Sequence, residues 1–79
     1  MARFYFHLHN GDGLTEDREG SDHDGLDAAI QVATVGLRDV IADEVKAGSI
    51  FTSSYIDVCD SDRHSIEQVQ FWDVVCFRD

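Results

Sequence analysis

Two histidines are the residues whose type and spacing come closest to a metal site. His7 and His9 are two positions apart in a segment with strand periodicity, so both side chains project from the same face. Imidazole nitrogens are common zinc ligands, and Asp57 or Cys59 on another strand would add a third ligand. A zinc site needs three or four ligands with supporting hydrogen bonds, which the pair alone does not supply. A metal-binding domain using His7 and His9 is therefore the alternative function.

A run of carboxylates suggests calcium as a second candidate ligand. Its members are Asp12, Glu16, Asp17, Glu19, Asp22, Asp24 and Asp27. An EF-hand loop needs oxygen ligands at its first and twelfth positions, where the best register places Gly20 and Gln31. We therefore interpret the run as a solvated loop leading to a helix cap.

No pattern for catalysis or for cofactor binding is present. A nucleophilic pairing of Cys59 or Cys76 with His64 or His7 is disfavoured, because cysteines buried in strands are far more common than nucleophiles. The glycines of segment 10–13 stand beside an aspartate that would repel phosphate. The sequence predicts neither an enzyme nor a cofactor.

Alternating apolar and polar residues predict the strands that must position these side chains. The alternating segments are residues 3–9, 14–19, 55–59 and 66–77. A tight turn at 10–13 joins the first two. The last segment changes phase, which predicts a bulge near 67–68 and a second irregularity near 72–73.

Between the second and third segments, one apolar stripe predicts an amphipathic helix. The stripe consists of Leu26, Ala29, Ile30, Ala33, Leu37, Val40, Ile41 and Val45. Asp24 is the expected N-cap, and Gly48 the expected left-handed C′ residue. Gly36 in mid-helix predicts close packing at that point.

These elements define one α+β domain over residues 1–79, in the order β-β-α-β-β. The helix would cover one face of a small antiparallel sheet, against residues that include Phe4, Phe6 and Leu8. The opposite sheet face would be left open to water or to a partner.

The charge of the chain limits its partners. Sixteen acidic residues stand against six Lys and Arg, a formal charge of −10 in 79 residues. Phosphate backbones and anionic membranes are bound through Lys and Arg, so we expect neither nucleic acid nor membrane to bind this chain alone. The sequence lacks the apolar run of a signal peptide and a candidate membrane span, which predicts a cytoplasmic protein with free thiols. The acidic surface suits a basic protein partner, a cation or simple solubility.

Several short motifs together resemble a known family. They are Arg3-Phe4-Tyr5-Phe6-His7-Leu8, Asp12-Gly13, Asp17, Glu19-Gly20, Asp43-Glu44-Val45, Ile56-Asp57-Val58 and Val69-Gln70-Phe71. The chain resembles a bacterial family of short proteins, a domain of unknown function that opens with an R-[FY]-[FY]-F-H-[LV] strand. A looser likeness to HicB-type antitoxin domains lies in an aromatic first strand, an Asp-Gly turn and a Glu-Gly step before a helix. The first resemblance implies a stand-alone domain without a transferable activity.

The open sheet face is the predicted interaction surface. Its expected residues are Tyr5, His7, His9, Tyr55 and Trp72. Aromatic side chains are enriched at the centres of interfaces, and a small domain gains stability from association. The alternative for Trp72, given equal weight, is that it closes the end of the core. We expect a protein-interaction module, antitoxin-like by analogy. Its partner is a basic protein that meets the acidic surface, or a second copy of the chain in a homodimer.

Overall fold

The computed structural model describes residues 1–11 and 13–78 and shows the predicted α+β architecture. Its elements are β1 (Ala2–Asn10), β2 (Gly13–Thr15), β3 (Ser21–His23), α1 (Leu26–Ala47), β4 (Tyr55–Cys59), β5 (Ser65–Gln70) and α2 (Phe71–Val74). The sheet is antiparallel with the order β2-β1-β4-β5, and β3 also pairs with β1. The predicted turn at 10–13 includes Asp12, which lies outside the described residues; β1 ends at Asn10, which pairs with Gly13.

Helix α1 packs on one face of the sheet, as its apolar stripe predicts. The buried helix residues are Ala29, Ala33, Leu37 and Ile41. They share one core cluster with Phe4, Ile56, Val58, Val69, Phe71 and Val74, and Phe6 and Leu8 pack against it. Two stripe residues were assigned wrongly, because Leu26 and Val45 at the ends of the helix are 40% and 55% exposed. The smallest dimension of the Cα trace is 16 Å, which leaves room for only these two layers.

Of the predicted return strand over 14–19, only residues 14 and 15 belong to a strand, which is β2. A further strand that the sequence did not predict, β3, follows at Ser21–His23, and β2 and β3 pair with opposite ends of β1. Between β2 and β3, at the described residues 16–20, no strand pairs with β1. The Asp17 carboxylate there accepts hydrogen bonds from the backbone N–H groups of Phe6 and Gly20, each at 3.0 Å. Gly20 has φ +70°, and an added Cβ would lie 2.7 Å from the Phe4 carbonyl oxygen. Only glycine fits there without strain.

The ends of α1 differ in how well local sequence predicts them. The N-cap is Gly25 and not Asp24, and no side chain caps this end. Asp27 does lie in the first turn, where a carboxylate favours the helix dipole. At the other end Gly48 is left-handed as predicted, and the Gly48 and Ser49 N–H groups bind the carbonyls of Val45 and Glu44. Neither helix of the described chain is long and apolar enough to cross a bilayer.

The predicted last strand ends early. The β4–β5 register shifts between Val58 and Cys59, which pair with Glu67 and Ser65 and leave Ile66 as the extra residue. The bulge is therefore adjacent to the predicted position. Residues 71–74 then form α2, so the irregularity expected near 72–73 is a helical turn.

Strand β5 is at one edge of the sheet, and acidic side chains satisfy part of its backbone. The Gln68 N–H donates to Glu67 Oε1 at 3.1 Å. The Gln70 N–H donates to Asp73 Oδ2 at 2.9 Å. This second bond also closes the first turn of α2, which explains why the strand becomes helical at Phe71.

Candidate functional site

The sheet face opposite α1 carries most of the predicted interaction residues. The β1–β4 register places His7 opposite Asp57 and His9 opposite Tyr55. Because directly paired residues project from the same face, these four side chains lie on the side away from the helix. Tyr5, two positions before His7, shares that face.

Two ring stacks order this face. The His9 and Tyr55 rings are nearly parallel, at 6°, with centroids 4.4 Å apart. The Tyr5 and His7 rings are also near parallel, at 10°, with centroids 6.5 Å apart. His9 and Tyr55 are half-buried. A stacked pair of this kind offers a planar, preorganised contact surface.

Tyr5 is covered by its own chain. The Arg63 guanidinium lies 4.4 Å from the centroid of the Tyr5 ring, a cation–π contact between the β4–β5 turn and β1. Tyr5 is only 8% exposed as a result of this packing and of its position beside Gly20. Arg63 has a positive φ of 67°, which places its side chain over the ring at some conformational cost. Sequence reasoning did not anticipate this contact.

His7 is committed to a structural hydrogen bond. The backbone N–H of Asp17 donates to His7 Nδ1 at 3.0 Å. With Nδ1 as the acceptor, the neutral ring carries its proton on Nε2, so neither nitrogen offers a free lone pair to a metal. Among the described residues, His7 and His9 belong to no group of three ligand atoms within 4.8 Å of one another. The geometry therefore gives no support to the zinc alternative.

An open depression of 270 Å³ lies beside the His9–Tyr55 stack. It is lined by His7, His9, Leu14, Glu16 and Asp57, and we call it the sheet-face depression. Leu14 is 58% exposed and supplies an apolar wall. Glu16 and Asp57 supply two carboxylates without a lysine or arginine among the lining residues. The depression therefore combines negative charge with aromatic and apolar surface.

Asp57 is held in place by its neighbours. Its Oδ1 accepts a short hydrogen bond from the Ser65 hydroxyl, and the Cys59 thiol lies 3.9 Å from its Oδ2. Burial, and then the adjacent Asp57 carboxylate, raise the pKa of the Cys59 thiol. A thiol with a raised pKa is a poor nucleophile at neutral pH, and it does not suit Cys59 to covalent catalysis.

Trp72 lies apart from the other four predicted residues. It belongs to α2 and contacts Phe71 and Phe77 edge to face, with centroids 4.9 and 5.4 Å away. Trp72 is 57% exposed and Phe77 70% exposed. Trp72 therefore does not close the end of the core, and the residue that does so is Phe71, which is fully buried.

One group of metal-type ligands exists at the β4–β5 turn. Asp60, Asp62 and His64 place their ligand atoms within 4.8 Å of one another. Asp60 Oδ1 already accepts the N–H groups of Asp62 and His64, at 3.0 and 2.9 Å, so it shapes the turn. Asp62 and His64 are exposed. The arrangement is that of a polar turn stabilised by its aspartate.

Comparison with known proteins identifies a family but no characterised relative. A family described as "Domain of unknown function (DUF6894)" matches residues 3–72. No curated protein and no solved structure matches the chain. The match begins at the second residue of β1 and ends within α2, so it covers the open sheet face and every residue of the core cluster except Val74. The chain therefore belongs to the DUF6894 family of domains of unknown function.

Proposed function

We propose that the protein is a non-catalytic interaction module that binds a basic protein partner through its open sheet face. The observation that carries the proposal is the sheet-face depression, where Glu16 and Asp57 lie beside the His9–Tyr55 stack. An arginine or lysine of a partner would contact both the carboxylates and the ring stack. Its charged group pairs with carboxylates, while its aliphatic stem or guanidinium plane packs on an aromatic ring.

The charge distribution favours a basic partner over a second copy. The chain has a formal charge of −10, so two copies repel each other at short range. Three of its six cationic side chains make contacts within the chain: Arg3 binds Asp22, Arg38 donates to the Val74 carbonyl, and Arg63 covers Tyr5. Most carboxylates have no such cationic neighbour in the described structure, since Arg3–Asp22 is the single ion pair found there.

The surface is preformed, which lowers the cost of binding. His7 is fixed by Asp17, Asp57 by Ser65, and His9 by its stack on Tyr55. Side chains that are already ordered lose little conformational entropy when a partner binds. The antitoxin-like role by analogy would place a basic toxin at this surface.

Affinity capture with matched variants tests the proposal. Tagged wild-type protein, Glu16→Lys, His9→Ala and the control Val45→Gln would be exposed to native lysate, and bound proteins would be quantified at low and high salt. We expect a basic protein that is retained by wild type and by the control, is lost with Glu16→Lys and His9→Ala, and is released by salt.

Two outcomes would contradict it. Equal capture by all four proteins would show that the sheet face is not the binding surface. A stable dimer of the pure protein in light scattering, abolished by His9→Ala, would assign the same face to self-association.

A further inference from the structure

A second surface with different chemistry lies on the other layer of the molecule. Helix α1 and β3 form an open groove of 490 Å³ lined by His23, Ala28, Gln31, Val32 and Val35, which we call the helix groove. Val32 is 42% and Val35 58% exposed. These residues are on the helical side of the domain, so the groove is independent of the sheet-face depression.

The floor of the groove is a second apolar stripe on α1. Ala28, Val32 and Val35 follow one another at four- and three-residue steps, which places them in one row. This row is separate from the core row of Ala29, Ala33, Leu37 and Ile41. At the β3 side, the His23 ring is held by the Phe6 ring, 5.6 Å away and edge on, and by the Ser21 hydroxyl at 2.8 Å from Nε2. The His23 wall of the groove is therefore held by contacts within the chain.

Carboxylates bound the groove at both ends. A neighbouring depression that shares Ala28 is lined by Asp24 and Asp27 at the start of the helix. Asp39 follows Val35 by four residues and so continues the same row, and it is exposed. No lysine or arginine is among the residues described as lining either depression. The surface is thus an apolar strip with negative ends.

This pattern determines the chemistry of the occupant. The strip from residue 26 to residue 39 is about 20 Å long, at 1.5 Å per helical residue. An amphipathic helix in a partner protein fits such a strip with its apolar face, and Lys or Arg near both ends would pair with the carboxylates. A second copy of α1 would bring acidic ends together, and an anionic bilayer would be repelled. We propose that the helix groove docks a cationic amphipathic helix of a partner protein.

The test uses a designed probe peptide. A synthetic helical peptide of about 14 residues, with one leucine row and lysines flanking it at both ends, matches the length of the strip. A second peptide carries glutamate in place of each lysine. Anisotropy of labelled peptide measures affinity for the full chain, and amide chemical shifts of isotope-labelled protein locate the contact.

We expect the lysine peptide to bind and the glutamate peptide to fail, with shifts centred on Ala28, Val32 and Val35. Val35→Gln should weaken binding about tenfold, the effect of losing one buried aliphatic side chain. Its matched control is Val45→Gln, which changes an equally exposed valine of α1 outside the groove. Asp39→Asn should weaken binding and flatten its salt dependence, whereas Asp62→Asn in the distant turn should not.

Several results would overturn the proposal. They are equal affinity for the two peptides, no binding of either, shifts centred on the sheet-face depression, or equal losses from Val35→Gln and Val45→Gln. Each of these leaves the sheet-face proposal untouched, because that proposal depends on His9 and Glu16.

Discussion

Replacing Gly36 by alanine should stabilise the protein. Gly36 is in the interior of α1, where glycine costs about 0.8–1.0 kcal/mol relative to alanine. The sequence predicted close packing here, and Gly36 does face Ile56, but an added Cβ would lie 3.7 Å from the Ile56 Cδ1 atom, at ordinary contact distance. The methyl group therefore adds apolar burial without a clash, worth up to about 0.8 kcal/mol.

The expected gain in the free energy of unfolding is about 1–1.5 kcal/mol, or roughly 5–10 °C in Tm for a domain of this size. Urea and thermal denaturation followed by circular dichroism would measure it, with an unchanged m-value as the sign that only stability has changed. Gly20→Ala is a matched glycine-to-alanine substitution with the opposite expected effect. It should lower the free energy of unfolding by about 2 kcal/mol or more, because Gly20 has φ +70° and the added Cβ would lie 2.7 Å from the Phe4 carbonyl oxygen. A Gly36→Ala protein no more stable than wild type would refute the packing we describe around Ile56.

Four further predictions concern Asp17, Ser54 and the two cysteines. Asp17→Ala should lower the free energy of unfolding, measured by urea denaturation, by about 2–3 kcal/mol, because the Phe6 and Gly20 N–H groups lose a charged acceptor. A decrease of less than about 0.5 kcal/mol would contradict the bridging role of this carboxylate. Ser54 is 1% exposed, and its Oγ has no hydrogen-bond partner in the described structure. Ser54→Ala should therefore leave stability unchanged or raise it by about 1 kcal/mol. A clear loss of stability would indicate that the hydroxyl has a partner. Iodoacetamide should modify exposed Cys76 in the native protein and buried Cys59 only after unfolding, as mass spectrometry of the digested protein would show. The pKa of the Cys59 thiol is raised above its ordinary 9.0 in the folded protein, so the thiol's contribution to stability is complete below pH 9.0 and is lost as the pH rises further. Cys59→Ala should remove this loss of stability. A wild-type stability that does not change with pH in this range would contradict the prediction.

Periodicity predicted the parts of the fold in which one face is buried. Phe4, Phe6 and Leu8 face α1 because a strand with alternating pattern has only one register that buries its apolar side. Helix α1 begins at the predicted Leu26 and ends at Ala47, directly before Gly48, the left-handed residue expected to stop it. These are local signals, and nothing distant competes with them.

The remaining differences depend on contacts between distant residues. The return strand stops after Thr15, and the Asp17 carboxylate there binds the N–H of Phe6, eleven residues away in sequence. The burial of Tyr5 depends on Arg63 in a turn that periodicity alone does not place. The start of α2 did have a local signal, Gln70 followed three residues later by Asp73, but the apolar residues around it also fit a strand.

The two carboxylates that bind backbone N–H groups of β5, those of Glu67 and Asp73, have a consequence for aggregation at high protein concentration. An unprotected border strand serves as a template on which strands of other molecules add, the first step toward fibrils. This strand contains neither proline nor lysine, two of the usual safeguards. Glu67 and Asp73 instead occupy the donors that an incoming strand would need, and their negative charges repel the same strand of another molecule. Growth of the sheet beyond one molecule is thereby opposed by the carboxylates of Glu67 and Asp73.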